Sequence, residues 1–292
     1  MLKKVLVSLI IALASPAIVF AEDYAANPDE GKVGEVRRVP NDKEFKVCAD
    51  QDNLPYSNDN GEGFENKIAE LLAKEMGKKL SYQYWHDRFG FLRNTINAYR
   101  CDYIIGTNTT YDAVNTTMPY YRAGHVWVYR KDSGLDIKDW DSEDLKKITI
   151  GIKDKSPVAV ALNDKDLLSN AKPYRIQRDL TTSPGQLIDD VISGDVDVAI
   201  EWGPIGGYYA KQSDADLVVV QIPEYEQVKQ TGKTYWNISM AVRKKEDDRR
   251  DELQTVIDKN KDKILKILDD YGVPYAEPTF DSNLDGYKRH QK

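Results

Sequence analysis

Two glutamates have the side-chain chemistry for acid–base catalysis. Glu65 lies at the start of a predicted helix and Glu201 at the end of a predicted strand, and a pair of carboxylates across a cleft can exchange protons with a bound molecule. The sequence contains three histidines, so other acid–base groups are few. We favour structural or ligand-orienting roles for both glutamates, because no second feature of the sequence marks a reacting centre.

Familiar catalytic and metal-binding signatures are absent from the sequence. It has no Gly-x-Ser-x-Gly elbow, no His-Glu-x-x-His helix and no glycine loop of the kind that cradles phosphate. His86 and Asp87 are adjacent, but zinc requires three or four converging ligands and no second cluster accompanies them. The sequence therefore predicts no catalytic residue, no metal and no cofactor.

Polar and aromatic side chains follow several predicted strands at the carboxyl ends, where parallel α/β sheets bind their ligands. Taken singly, each has an ordinary explanation in turn or loop chemistry. Their shared position predicts a cleft with one wall from each half of the chain. The first wall would comprise Asp52, Asn53, Tyr56, Asn58, Arg88, Phe91, Thr107, Asn108, Thr109 and Thr110, and the second Ser156, Arg178, Glu201 and Trp202.

Alternating strands and helices must position these side chains. In the first half, apolar patterns predict strands at 45–49, 80–85 and 103–106. A helical stripe runs from Phe64 to Met76, and a second helix would place Leu92, Ile96 and Tyr99 on one face. This βαβαβ order predicts a parallel sheet.

A second cycle of elements begins after residue 147. A strand at 124–131 leaves the first half, and later strands are predicted at 148–152, 196–200, 217–222 and 236–242. Ser183, Pro184 and Gln186 predict a helix with an N-cap, a first-turn proline and a capping box. A long helix is predicted to carry apolar residues from Leu253 to Tyr271 before Gly272.

The two cycles indicate an α/β protein with two lobes around a central cleft. A chain of this length also exceeds the ~100 to 200 residues usual for one domain. Residues 22–42 lack periodicity and are interpreted as a flexible lead-in. The predicted division is lobe 1 at 43–130 plus 237–278, lobe 2 at 131–236, and a C-terminal tail at 279–292.

The N-terminus predicts export. Lys3 and Lys4 precede an apolar run that ends at Phe20, and Ala21 then meets acidic residues, which is the pattern of a secretory signal peptide over residues 1–21. The run is shorter than the ~20 apolar residues of a membrane span. We therefore expect a periplasmic protein that does not insert in the membrane after cleavage.

Charge and cysteine content narrow the function further. The chain has 41 basic and 48 acidic residues, and the predicted cleavage removes two lysines and no acid, which leaves a net charge of −9. Nucleic-acid binding is disfavoured, because it calls for a basic patch. Cys48 and Cys101 are the two cysteines. In an oxidising compartment they favour one disulfide, with two free buried thiols as the alternative.

Several segments closely resemble one family, the solute-binding-protein-like MxaJ/XoxJ group that is associated with quinoprotein methanol dehydrogenases. The resemblance covers about residues 45–274. It is carried by residues 48–58 (CADQDNLPYSN), 61–66 (GEGFEN), 88–95 (RFGFLRNT), 100–102 (RCD), 116–122 (TTMPYYR), 196–204 (VDVAIEWGP) and 238–243 (ISMAVR).

The resemblance implies a type II periplasmic-binding-protein fold, with two α/β lobes joined by two crossovers. It also implies a partner, a lanthanide- or calcium-dependent methanol dehydrogenase that uses pyrroloquinoline quinone. The protein would bind this enzyme and assist or activate it, without being an enzyme itself. A small ligand in the cleft is compatible with this role.

Two other functions share the same fold. One is a receptor that delivers a small solute to an ABC importer, and the other is a cleft enzyme built on the same lobes. The solute would not be an amino acid, because no arginine lies between Gly106 and Pro119 to hold an α-carboxylate. The position near the end of the second lobe's strand, usually Asp in amino-acid-binding relatives, is Glu201.

Overall fold

Alternating apolar strands and helices account for the architecture. The computed structural model describes residues 39–87, 90–109, 111–176, 182–225 and 233–279. The predicted signal peptide, nearly all of the lead-in and the tail beyond residue 279 lie outside these ranges. Within them, no helix is long and apolar enough to cross a bilayer.

The first half of the chain builds short strands around one long helix. Helix α1 begins after Gly63, whose backbone N–H donates to the Asn66 side chain at 3.1 Å. Its buried face carries Ile68 and Leu72. The elements are β1 (Glu44–Ala49), β2 (Asp52–Asn53), β3 (Ser57–Asn58), α1 (Phe64–Glu75), β4 (Lys79–Tyr84), α2 (Phe91–Asn94), β5 (Ile104–Asn108), β6 (Asn115–Thr116) and β7 (Tyr121–Arg130).

The second half repeats the alternation and ends in two helices. The elements are β8 (Ile150–Lys153), α3 (Val158–Asp164), β9 (Ala171–Tyr174), α4 (Gln186–Ser193), β10 (Val198–Trp202), α5 (Gly203–Gln212), β11 (Leu217–Gln221), β12 (Tyr235–Val242), α6 (Asp247–Lys259) and α7 (Lys261–Asp270).

The predicted parallel pairing is confirmed in both halves. Strand β1 pairs with β4 in parallel, and Val47 forms a parallel bridge to Tyr103 just before β5. In the second half, β8 pairs in parallel with both β9 and β10. The carboxyl ends of β1, β4 and β5 therefore meet at one edge, and those of β8 and β10 at another.

Strands β7 and β12 connect the two halves. The first part of β7, residues 121–124, pairs with β12. Residues 125–129 pair with β10 on one side, and residues 126–130 pair with β11 on the other. Strand β12 continues past β7 to pair with β5. Strand β7 therefore takes the chain from the first half to the second, and β12 brings it back, so the two crossovers coincide with the strands predicted at 124–131 and 236–242.

Separate apolar cores lie on either side of these crossovers. The first is built from β1, α1, β12 and the two C-terminal helices, with Phe45, Leu72 and Leu268 at its centre. The second surrounds β8 and β10, with Ile150 and Ile200 on one face and Leu187 on the other. The division of the chain into two lobes stays a prediction.

The predicted disulfide between Cys48 and Cys101 is confirmed. Cys48 lies on β1, and Cys101 lies shortly before β5. The bond packs in a small apolar cluster with Ile96 and Val114. It ties together two segments 53 residues apart in sequence.

Two details of the predicted helices are wrong. Helix α4 begins after Gly185; the Ser183 hydroxyl accepts the Gly185 N–H at 3.1 Å, and the Gln186 side chain donates forward to Asp190 at 2.6 Å, so no capping box forms. The predicted long C-terminal helix is two helices, since the chain leaves helical geometry at Asn260.

The predicted second helix is also shorter than its apolar spacing suggested. It consists of α2 and a 3-10 turn at Ile96–Ala98, and it ends at Tyr99 with a φ of 59°. A left-handed residue cannot continue an α-helix. The helical face predicted to run from Leu92 to Tyr99 is therefore interrupted.

Candidate functional site

Tyr56 and Trp202, one from each predicted wall, come into contact. Tyr56 follows β2, and Trp202 is the last residue of β10. The Trp202 indole lies against the Tyr56 hydroxyl, and burial raises the pKa of that hydroxyl well above its ordinary value. The two predicted walls of the cleft thus meet at Tyr56 and Trp202.

Glu65 lies on α1, and its side chain packs against the backbone of β5. A Cβ atom on Gly106 would overlap the Glu65 Oε1 atom, so a glycine at this position makes room for the carboxyl. Burial, and secondarily the negative charge of Asp87, raises the pKa of Glu65 from 4.5 to about 8. At neutral pH this side chain is therefore mostly a protonated acid, able to donate as well as accept a hydrogen bond.

Glu201 lies on the second wall and is 2% exposed. Its Oε1 accepts the backbone N–H of Trp202 at 2.7 Å. Burial raises its pKa, while the charge of Lys153 and that N–H act in the opposite direction. Both glutamates act electrostatically on Tyr56, so the two acids singled out in the sequence face the same tyrosine.

Three aromatic rings surround the junction between the walls. Trp202 meets Trp236 edge-on at 5.4 Å and His125 edge-on at 5.5 Å between ring centroids. His125 Nδ1 lies 3.1 Å from the Thr234 carbonyl oxygen. Because a carbonyl oxygen only accepts hydrogen bonds, the imidazole carries its proton on Nδ1. Burial lowers the pKa of His125 to about 4, so the ring is neutral at physiological pH.

His125 and Trp236 were missed by the sequence analysis. His125 sits in the ten-residue strand β7, where nine-tenths of its surface is covered. A histidine within the mostly apolar run 123–129 was the available signal, because a buried histidine needs a hydrogen-bond partner. Trp236 had been assigned only to a strand, and nothing in its spacing pointed to the cleft.

Some predicted wall residues serve the local structure of the first wall. Asn58 donates to Glu62 at 2.7 Å and accepts the Glu62 N–H at 2.8 Å, which ties the loop to the start of α1. The Thr109 hydroxyl bonds the Asn237 carbonyl and the Ser239 hydroxyl. These side chains hold the wall in shape through bonds to their own lobe.

Asp50 is a further residue that the sequence analysis did not select. It is 5% exposed, and its carboxylate accepts the backbone N–H groups of Asp52 at 3.0 Å and Asp87 at 2.6 Å. It therefore fixes two loops of the first wall. Asp52 and Asn53 themselves form the short strand β2, which pairs with β3.

The other predicted wall residues lie elsewhere or outside the described chain. Phe91 packs against the disulfide cluster, away from Tyr56. Thr107 and Asn108 pair with β12 inside the sheet, and the Ser156 N–H closes a turn onto Lys153. Arg88, Thr110 and Arg178 lie outside the described residues.

The described part of the cleft has no arrangement of metal ligands. Across the described ranges, no group of three or more His, Cys, Asp or Glu side chains is placed to hold an ion. The side chains around Tyr56 offer instead aromatic rings, a tyrosine hydroxyl and two acids of raised pKa. Such a set can pack against apolar surface and exchange a few directed hydrogen bonds.

Comparison with known proteins agrees with this architecture. The family model of bacterial extracellular solute-binding proteins, family 3, matches residues 45–273. Protein MoxJ of Methylorubrum extorquens AM1 is 29% identical over 263 residues, which covers 86% of this chain and 83% of the relative.

Two solved structures are similar over most of the chain. MxaJ from Methlophaga aminisulfidivorans MPT is 29% identical with a TM-score of 0.70, covering 80% of this chain and 100% of that one. The periplasmic binding protein XoxJ from Methylobacterium extorquens AM1 is 35% identical with a TM-score of 0.66 and the same coverage.

Fold and site together define a binding protein of the type II periplasmic class, with two crossovers between α/β halves. The chain belongs to family 3 of the bacterial extracellular solute-binding proteins and, within it, to the MxaJ/XoxJ group.

Proposed function

We propose that this protein is a periplasmic accessory protein of methanol oxidation. It binds a methanol dehydrogenase that uses pyrroloquinoline quinone and assists or activates it. One observation carries the proposal, namely the similarity to MxaJ and XoxJ over 80% of the chain and the full length of both relatives. Export by cleavage of residues 1–21 brings it to the compartment of its partner.

The chemistry of the cleft argues against capture of an amino acid. An α-carboxylate is usually held by an arginine, whose two parallel N–H donors give the strongest contact available. No arginine lies between Gly106 and Pro119. The described walls instead present the acids Glu65 and Glu201, whose pKa values are raised and which would not attract a carboxylate.

Each predicted lobe supplies one wall of the proposed cleft. Lobe 1, residues 43–130 plus 237–278, supplies the wall with Tyr56, and lobe 2, residues 131–236, supplies the wall with Glu201 and Trp202. The partner or a ligand would contact the rim where these walls meet. The protein acts by binding, so a Glu201→Gln variant should retain its effect on the dehydrogenase.

A capture experiment tests the proposal. The tagged, mature protein would be used to recover partners from the periplasm of methanol-grown cells. We expect the dehydrogenase, and recovery should fall as salt is raised, because contacts of a protein with charge −9 are screened. Recovery of importer subunits without the dehydrogenase would instead support the transport receptor.

A melting scan with amino acids separates the same two functions. A solute at a hundred times its dissociation constant stabilises its receptor by ~2.7 kcal/mol, which a scan detects. We expect no shift with any proteinogenic amino acid. A strong shift would contradict the proposal and support a solute receptor.

A further inference from the structure

Trp202 belongs by sequence to the second half but packs in the first. It ends β10, whose other residues fill the second core. Its indole ring packs against the first core and lies beside the Tyr56 hydroxyl. The rings of Trp236 and His125, on the crossover strands, contact the same indole.

A second contact between the halves lies along α5. The Gly207 Cα faces the Gly272 carbonyl and the Pro274 ring so closely that a Cβ would overlap that carbonyl oxygen. Lys211 Nζ donates to the Asp269 carbonyl at 2.9 Å. Helix α5 therefore lies directly on the chain that follows α7, and a glycine permits the approach.

Aromatic stacking extends this second contact. Tyr208 on α5 stacks on Tyr271 with 6.0 Å between centroids and 17° between ring planes. Tyr271 in turn donates to the Glu62 carbonyl at 2.5 Å, next to α1. The contact thus reaches from the second half to the helix that carries Glu65.

We infer that these two contacts lock the predicted lobes in one arrangement, so that the cleft is closed before any ligand or partner arrives. In a hinge-closing receptor, the solute supplies the interactions that hold the lobes together. Here the protein supplies them with its own Trp202 indole and its own α5. The inference rests on the predicted lobe division and deepens the proposed function. The dehydrogenase would bind a preformed surface, so its apparent affinity would not be reduced by the need to close the lobes first.

Distance measurement between the lobes tests the lock. Spin labels would be placed at Lys74→Cys on α1 and Ser169→Cys in the second half, both on exposed positions, with the native disulfide intact. In the free protein we expect one narrow distance distribution that holds more than ~90% of molecules, since a minor open state would be a few per cent. Two comparable populations in the free protein would overturn the inference.

Matched glycine variants on α5 provide the control. Gly207→Ala forces α5 away from Gly272, whereas Gly206→Ala places its Cβ 2.8 Å from Val126 in the second core. We expect a second, longer distance in Gly207→Ala and the unchanged single distance in Gly206→Ala. Identical distributions in the two variants would contradict the lock.

Tyr56→Phe tests the cleft contact without removing a ring. It removes the hydroxyl that lies beside the Trp202 indole, so we expect a longer-distance population here too. If circular dichroism shows that Gly207→Ala does not fold, the Tyr56→Phe variant alone decides the question. An unchanged distance distribution in Tyr56→Phe would then overturn the inference. Because the distances are measured in the free protein, a failed lock is distinguishable from a failure to bind the dehydrogenase.

Discussion

Asp102 and Arg243 form a buried ion pair, with 2.7 Å between Oδ1 and Nη2 and exposed fractions of 1% and 5%. The same guanidinium donates to the Cys101 carbonyl and to Glu246. It also lies over the Tyr99 ring at 4.8 Å. One side chain at the end of β12 therefore fixes the segment that carries the disulfide.

Replacing Arg243 should destabilise the protein strongly. Arg243→Met leaves the Asp102 carboxylate buried beside an apolar side chain, and breaking a buried pair in this way typically costs ~3 to 5 kcal/mol. Arg250→Met is the control, because its partners Asp247 and Asp251 are 64% and 66% exposed and such pairs contribute ~1 kcal/mol or less. Urea denaturation measures both, and equal losses would contradict the role given to Arg243.

Glu65 and Gly106 should show strong coupling. Gly106→Ala pushes a Cβ into the Glu65 carboxyl, and overpacking of this kind costs ~1 to 3 kcal/mol. In a Glu65→Ala background the carboxyl is gone, so the same substitution should cost much less. A double-mutant cycle by denaturation gives the coupling energy. Additive losses would show that the two residues do not meet.

Glu65 also predicts a pH dependence of stability. Its pKa in the folded protein is about 8, against an ordinary 4.5, so between these values the folded state binds more protons than the unfolded state. Its contribution to the free energy of unfolding is therefore complete below pH 4.5 and is lost as pH rises toward 8.

The variant Glu65→Gln isolates this contribution. The stability of the native protein relative to Glu65→Gln should fall as pH is raised from 6 to 8. Asp87→Asn removes the second cause of the raised pKa and should move the fall to lower pH. A difference that does not change with pH would contradict the raised pKa.

The disulfide should contribute to stability through the 53-residue separation that it closes. A cross-link of this kind typically contributes ~2 to 4 kcal/mol, chiefly by restricting the unfolded chain. Thiol titration of the denatured, unreduced protein should find no free thiol. The Cys48→Ser, Cys101→Ser double variant should unfold at lower urea, and two titratable thiols in the native chain would refute the bond.

The order of strands and helices could be predicted because apolar periodicity and turn residues are local signals. The parallel pairing of β1 with β4 and the pairing of Cys48 with Cys101 followed from that order and the exported compartment. The break at Asn260 could not be predicted, since apolar residues continue across it with helical spacing. The predicted capping box at Ser183 does not form, because helix α4 begins two residues later, after Gly185.

The site was harder to predict, because its key contacts join distant parts of the chain. The positions of Tyr56 and Trp202 at strand ends predicted that both line one cleft, which stays a prediction, but gave no sign of the contact between the two side chains. The contact of Glu65 with Gly106 and the ion pair of Asp102 with Arg243 depend on sheet register, which side-chain periodicity alone does not fix. Phe91 packs instead against the apolar cluster around the disulfide, where it is partly buried.

The most direct test of the proposed function is binding between the purified mature protein and the quinoprotein methanol dehydrogenase of the same organism. Calorimetric titration and size exclusion at low salt should give a complex that weakens as salt is raised, and dehydrogenase activity should change when the complex forms. No complex and no change in activity, together with a strong melting shift from a small solute, would contradict the accessory function and identify a transport receptor.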